Sequence, residues 1–285
     1  SSRTRWVAVA VNAWRPARSE RRYSVTHDDA PSLRRDEMCQ IVDAIGKYWG
    51  FSSLLPLQES AIAAALRNRD SLTVLPTGGG KSLCYQVPPL IAGRTDVVVS
   101  PLIALMKDQV DGLITCGYPA AAVHSGLSAV ERGQAEKDLL DGKLRLIFVA
   151  PERLLTDSFC RLLARLEGCR FAIDEAHCIS HWGHDFRPEY RRLAELRERF
   201  PKSSLHAFTA TATQRVREDI IHQLRLRNAS TLVGSFDRPN LVYRVVTRVD
   251  LDAQVLEVIA RHAGEAIIIY CLSRRDTESL AAHLK

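Results

Sequence analysis

The sequence predicts an α/β fold built on a mostly parallel sheet. Short runs rich in β-branched and apolar residues alternate with helical stretches, the pattern of βαβ units whose sheet is covered on both faces. One of those runs enters a glycine-rich turn that opens directly into a helix. Hydrophobic residues make up 46% of the chain and charged residues 25%, enough apolar material for a real core.

From about Asp36, the residues Met38, Ile41, Val42 and Ile45 share one helical face, and Gly46 is expected to end that helix. A loop, Trp49-Gly50-Phe51-Ser52-Ser53, leads to a second helix expected over 58–67. Strands are expected at 72–75, 97–100, 121–124, 144–150, 171–173 and 205–208. Residues 234–240 read as a connector punctuated by Pro239. A strand at 241–246, a helix at 253–262 and a buried strand at 267–270 then begin a second α/β unit. The expected organisation is a basic leader without fixed structure over 1–35, a first domain over 36–234, and a linker with the incomplete start of a second domain over 235–285. The chain starts at Ser1 without methionine and stops inside an expected helix, 276–285, so a longer parent is expected.

Of the net charge of +6, +5 belongs to residues 1–35, where eight arginines face three acids. Such an arm suits phosphates or is simply a solvated leader. Seven cysteines, odd in number and without a CxxC pair, argue for reduced thiols in a cytoplasm. No apolar run is long enough to cross a bilayer, and no secretory pattern opens the chain.

The strongest chemical signal is Leu72-Thr73-Val74-Leu75-Pro76-Thr77-Gly78-Gly79-Gly80-Lys81-Ser82. Backbone N–H groups from Thr77 to Gly80 are expected to curl around phosphate oxygens, where a side chain would collide. The helix that starts near Lys81 adds its partial positive charge. Lys81 suits the β/γ-phosphates of ATP, and the Ser82 hydroxyl suits magnesium. Leu75 stands where the general phosphate-loop pattern has glycine. A second apolar strand, Phe171-Ala172-Ile173, delivers Asp174 and Glu175 to the edge of the sheet where ligands bind. Asp174 suits the magnesium shell, and Glu175 suits orienting or deprotonating the attacking water. His177, Cys178, His181 and His184 invite a zinc reading, but a closed zinc site needs a second, distant ligand pair that the sequence lacks. His177 is therefore read as coupling the nucleotide to a neighbouring motif.

Asp174-Glu175-Ala176-His177 resembles the DEAH signature of superfamily-two helicases, which relax the glycine position occupied here by Leu75. The stretch from Cys178 to Tyr190, with Trp182, Phe186 and Arg187, resembles the aromatic-rich loop of RecQ helicases, which links DNA contact to ATP hydrolysis there. Its chemistry fits: Trp182 and Phe186 suit stacking on bases, and Arg187 suits a phosphate. Phe51 and Gln58 fall where that family stacks on adenine and reads its edge, with Leu55 where an arginine is often found. Lys107 and Gln109 fall in its first DNA-strand motif. Thr209 and Thr211 fall in the motif that couples hydrolysis to motion. Residues 236–240 resemble the family's entry into its second motor domain.

The resemblance, over residues 36–285, implies a RecA-like domain followed by the start of another. It implies an ATP- and magnesium-dependent DNA helicase moving 3′ to 5′, acting on single-stranded and partly duplex DNA, with repair or recombination proteins as company. Zinc is expected only in a C-terminal part that this sequence does not include. Because the family's arginine finger lies beyond residue 285, these residues are expected to bind ATP but to hydrolyse it poorly. Two other readings stay open: another superfamily-two motor acting on RNA or remodelling complexes, and a nucleotide-gated DNA-binding module. Oligomeric state is not legible in the sequence.

Overall fold

Parallel strands need crossover connections, and the helices that make them cover both sheet faces. The computed structural model describes residues 6–12, 24–26, 31–166, 168–183, 185–235 and 241–284. The chain divides into two units, Arg21–Phe236 and Ser1–Glu20 with Asp237–Lys285.

In the larger unit the strands are β2 (Ser24–Thr26), β3 (Ser71–Val74), β4 (Asp96–Val99), β5 (Ala120–Val123), β6 (Leu146–Val149), β7 (Phe171–Ile173), β8 (Leu205–Thr209) and β9 (Ser230–Val233); β1 and β10 belong to the smaller unit. They form one sheet in the order β2-β9-β3-β8-β7-β4-β6-β5. Seven of them run parallel, and β2 pairs antiparallel with β9 at one edge. Alternate residues feed opposite faces, as the two-residue strand period requires. Leu72, Val74, Val97, Val99, Ile147 and Val149 enter one apolar cluster, while Val98, Leu146, Phe148, Ala172 and Phe208 enter the other. Each such side chain fully buried is worth about 1.5–3 kcal/mol. The fold class read from the sequence is thus found, a parallel sheet under helices with a RecA-like arrangement.

Three helices, α1 (Arg35–Trp49), α2 (Pro56–Leu66) and α3 (Lys81–Ala92), share a third cluster of Ile41, Ile45, Ile62, Leu83 and Val87. Helix α1 does not stop at Gly46. It runs to Trp49 and ends on Gly50 at φ 71°, whose N–H donates to the Gly46 carbonyl at 3.1 Å. The last turn is held by Tyr48 and Trp49, whose rings pack on Tyr118 at 5.5 and 5.7 Å. Glu37 accepts both Arg67 guanidinium nitrogens at 2.6 and 2.7 Å, which holds its carboxyl down to about 2 and ties α1 to the end of α2. Helix α4 spans Ile103–Thr115 and α5 spans Ala129–Leu140.

In the smaller unit β1 (Trp6–Asn12) pairs antiparallel with β10 (Leu241–Thr247), Trp6 opposite Thr247. Strands therefore occur inside the leader for which the sequence predicts no fixed structure. Helices follow at Leu251–Arg261 and Arg274–His283. The strand expected at 267–270 is not formed, and Tyr270 is 91% exposed. A strand exists only by pairing, and none of the described strands pairs with this segment. Among the described residues no helix is long and apolar enough to cross a membrane. The seven cysteines are free, and burial pushes the thiols of Cys84, Cys169 and Cys178 up to about 12.

Candidate functional site

The phosphate loop, residues 75–80, leaves the C-terminal end of β3 and opens α3. Gly80 has φ 73°, and a Cβ there would collide with the Gln58 side-chain nitrogen. Gln58 is buried and its amide is used at both ends. Nε2 donates to the Gly80 carbonyl at 3.0 Å, and Oε1 accepts from the Leu55 N–H at 2.8 Å. It thus fastens the first turn of α2 to the loop. Thr77 and Gly78 are exposed, and Lys81 Nζ lies 3.4 Å from the Leu75 carbonyl, folded back over the loop. A groove of about 660 Å³ runs from Trp49 and Phe51 past Gln58 to Gly78, Gly80 and Ser82. Phe51 is half exposed at its mouth. An aromatic at one end and the glycines of the phosphate loop at the other match a base at one end and phosphates at the other.

Strand β8 lies between β3 and β7, so the ends of these three strands meet at one edge. Asp174 is buried at the end of β7. Burial and the neighbouring Glu175 charge raise its carboxyl to about 6, while the Glu175 N–H, Lys81 and His177 pull the other way. Glu175 itself sits at φ 48°, a conformation costly for a non-glycine residue and concentrated at functional sites. His177 Nδ1 lies 3.0 Å from Thr209 Oγ1 and 3.2 Å from Glu175 Oε2. Because the Thr209 hydroxyl donates to the Thr211 carbonyl at 3.1 Å, it accepts from His177, which fixes the proton on Nδ1. The carboxylate and hydroxyl oxygens of Asp174 and Ser82 are the hard donors magnesium prefers. The pair fits that ion.

The loop that follows is fastened to the same place. A Cβ on Gly183 would strike the His177 carbonyl oxygen, the Arg187 N–H donates to the Cys178 carbonyl at 2.9 Å, and the Tyr190 hydroxyl donates to the Asp174 carbonyl at 3.1 Å. Trp182 is 59% exposed, with the Arg215 guanidinium lying 3.2 Å from its ring centroid. Phe186 is half-buried against His181, ring centroids 3.7 Å apart. Arg187, read from the sequence as a phosphate contact, is held by Asp185 at 3.0 Å and by the Pro101 carbonyl at 2.8 Å. Lys107 is exposed on α4, whereas Gln109 turns toward α3, 3.2 Å from the Tyr85 hydroxyl, and lines the groove that Phe51 opens. His177, Cys178 and His181 therefore have separate neighbours; His184 and residues 236–240 lie outside the described residues. Arg215 had no sequence signal, because it meets Trp182 only through space.

A family model described as DEAD/DEAH box helicase matches residues 55–220. The chain is 41% identical over 258 residues to the ATP-dependent DNA helicase RecQ of Haemophilus influenzae, covering 90% of this chain and 42% of that protein. It is 40% identical over 243 residues to the ATP-dependent DNA helicase RecQ of Bacillus subtilis, covering 85% of this chain and 41% of that protein. The chain thus spans about two fifths of the length of these relatives. Among solved structures, the DUF1998 helicase MrfA bound to DNA superposes with a TM-score of 0.60 at 17% identity, covering 84% of this chain and 37% of that one, a likeness of fold alone.

Proposed function

The chain belongs to the DEAD/DEAH box helicase family and, within it, to the RecQ helicases, and on that footing we propose that its parent protein is an ATP-driven DNA helicase moving 3′ to 5′ on single strands and opening partly duplex DNA. The observation that carries the reading is the unbroken set of contacts from the acids to the aromatic loop, His177 on Thr209 and Gly183 against His177. In this reading the 77–80 backbone and Lys81 cradle the β- and γ-phosphates, and Phe51 packs on the base. Asp174 and Ser82 hold magnesium, which neutralises charge on the phosphates when bound. Glu175 orients the attacking water, and its αL backbone turns the carboxylate back toward His177. Trp182 and Phe186 meet the bases, with Lys107 on the backbone and Thr209 and Thr211 passing the change on. Arg187 serves by tying the loop to Pro101.

In related motors an arginine from a second domain stabilises the transferred phosphoryl group, an effect of about 10³–10⁵ in rate. Residues 1–285 by themselves are accordingly expected to bind ATP well and to turn it over slowly. The test is ATP hydrolysis by the full-length protein with single-stranded DNA, single-stranded RNA or neither. Stimulation by DNA well above that by RNA supports the reading; equal or greater stimulation by RNA moves it to the RNA motors of the same superfamily.

A further inference from the structure

The aromatic loop and the strand that reports on the catalytic histidine are joined twice, and the second joint is Arg215. Thr209 ends β8 with its hydroxyl on His177. Six residues later Arg215 stands in the first turn of the helix Gln214–Gln223, capped by the Thr213 hydroxyl. Its guanidinium lies over the Trp182 indole, 3.2 Å from the ring centroid. Trp182 is next to Gly183, which is packed on the His177 carbonyl. The path is closed: Thr209 to His177, His177 to Gly183, Trp182 to Arg215, and Arg215 back along the chain to Thr209.

The side-chain choice is specific. Asp219, four residues on, is within reach of a helical arginine. It is not paired with Arg215: Asp219 Oδ1 accepts from the Gln223 side-chain amide at 3.1 Å, and Oδ2 is buried with no partner among the described residues. Arg215 makes no ion pair with a described residue, so its charge is spent on the indole face. That face is the surface a nucleic-acid base would stack on.

We propose that Arg215 is a positioning residue that occupies one face of Trp182 until a base of a single strand replaces it. The exchange frees a guanidinium beside the strand and moves the element that carries Thr209. This rests on the helicase reading above only for the identity of the incoming group; the stacked pair is testable without any ligand.

The experiment uses the full chain with Arg215→Gln, Arg215→Lys and Trp182→Ala. Trp182 emission is taken as the difference from Trp182→Ala, and its quenching by acrylamide is measured first without DNA. Arg215→Gln is expected to make Trp182 more quenchable, and Arg215→Lys to restore part of the protection. Unchanged quenching in Arg215→Gln overturns the proposal, whatever DNA does. Oligothymidylate binding is measured next. Arg215→Gln is expected to bind roughly 2–30-fold more tightly, the worth of a cation–π contact no longer in competition. Trp182→Ala in the same background should erase that gain. Weaker binding in Arg215→Gln, with a shallower salt dependence, makes Arg215 a plain phosphate contact and also overturns the proposal. Failure of every variant and the parent chain to bind the strand, with the quenching result as expected, strikes the helicase reading and leaves the stacked pair standing.

Discussion

Replacing Asp70 with alanine should cost the larger unit about 3 kcal/mol while leaving nucleotide binding intact. Asp70 precedes β3 at the sheet edge opposite the phosphate loop, and both it and Arg197 are 5% exposed. Its carboxylate accepts from Arg197 Nη2, from the Leu205 N–H at 2.9 Å and from the Arg227 N–H at 2.6 Å, so one side chain ties β3, β8 and the approach to β9. Removing one partner of a buried pair strands the other charge, typically at about 3–5 kcal/mol. Burial already pulls the Arg197 pKa below its ordinary value. Arg197 keeps its bonds to the Arg225 and Ser203 carbonyls, both at 3.1 Å, and a polar groove of about 660 Å³ adjoins it, so the lower end of that range applies. For a domain of this size about 3 kcal/mol lowers the melting temperature by about 6–12 °C. The assay is urea and thermal unfolding of the chain, with binding of a fluorescent ATP analogue measured below the transition. A loss under about 1 kcal/mol would mean that Arg197 is hydrated in place and that no buried charge is stranded.

Gln58→Leu should lower the melting temperature and the affinity for ATP together, because one amide fastens α2 to the loop; reduced affinity with an unchanged melting curve would place Gln58 on the nucleotide alone. Thr209→Val in the full-length protein should leave ATP binding within about twofold and cut DNA stimulation of turnover by about tenfold, the worth of one hydrogen bond between coupled groups; equal loss of both would deny the coupling role. His206 is fully buried between the Ser71 and Ser204 hydroxyls at 2.9 and 2.8 Å, and burial lowers its pKa to about 3. The unfolded chain takes up this proton between about pH 6.5 and 3 while the folded chain does not. Stability should therefore fall by about 1.4 kcal/mol per pH unit from this residue as pH drops through that window. Unfolding at about pH 7 and about pH 5 should show that slope reduced in His206→Gln, and an unchanged slope would mean that His206 accepts its proton in place.

The interior strands were legible because both their faces are buried, which leaves continuous apolar runs such as Val97-Val98-Val99 and Leu146-Ile147-Phe148-Val149. Strand β9 escaped because Ser230-Thr231-Leu232-Val233 is short and mixed, and its pairing with β3 across the whole domain decides it. Gly46 does not end α1 because a glycine inside a helix costs only about 1 kcal/mol, and the two ring contacts of Tyr48 and Trp49 with Tyr118 beyond it, each worth about 0.5–1.5 kcal/mol, offset that. Residues 267–270 show the reverse, since a β-like sequence without a neighbouring strand has nothing to pair with. At the site, the phosphate loop and the acid pair were legible because their chemistry is local to the chain. The partners of Gln58, Arg187 and Trp182 were not, because each is set by a residue far away in sequence or by a fold in the loop.

On the reading proposed above, the groove from Phe51 to Ser82 holds ATP with magnesium through the phosphate loop. The decisive measurement is binding of ATP by this chain, with and without magnesium, in the parent and Lys81→Ala forms. Magnesium-dependent binding that is lost in Lys81→Ala is the predicted result. Absence of binding, or equal binding by Lys81→Ala, would contradict it.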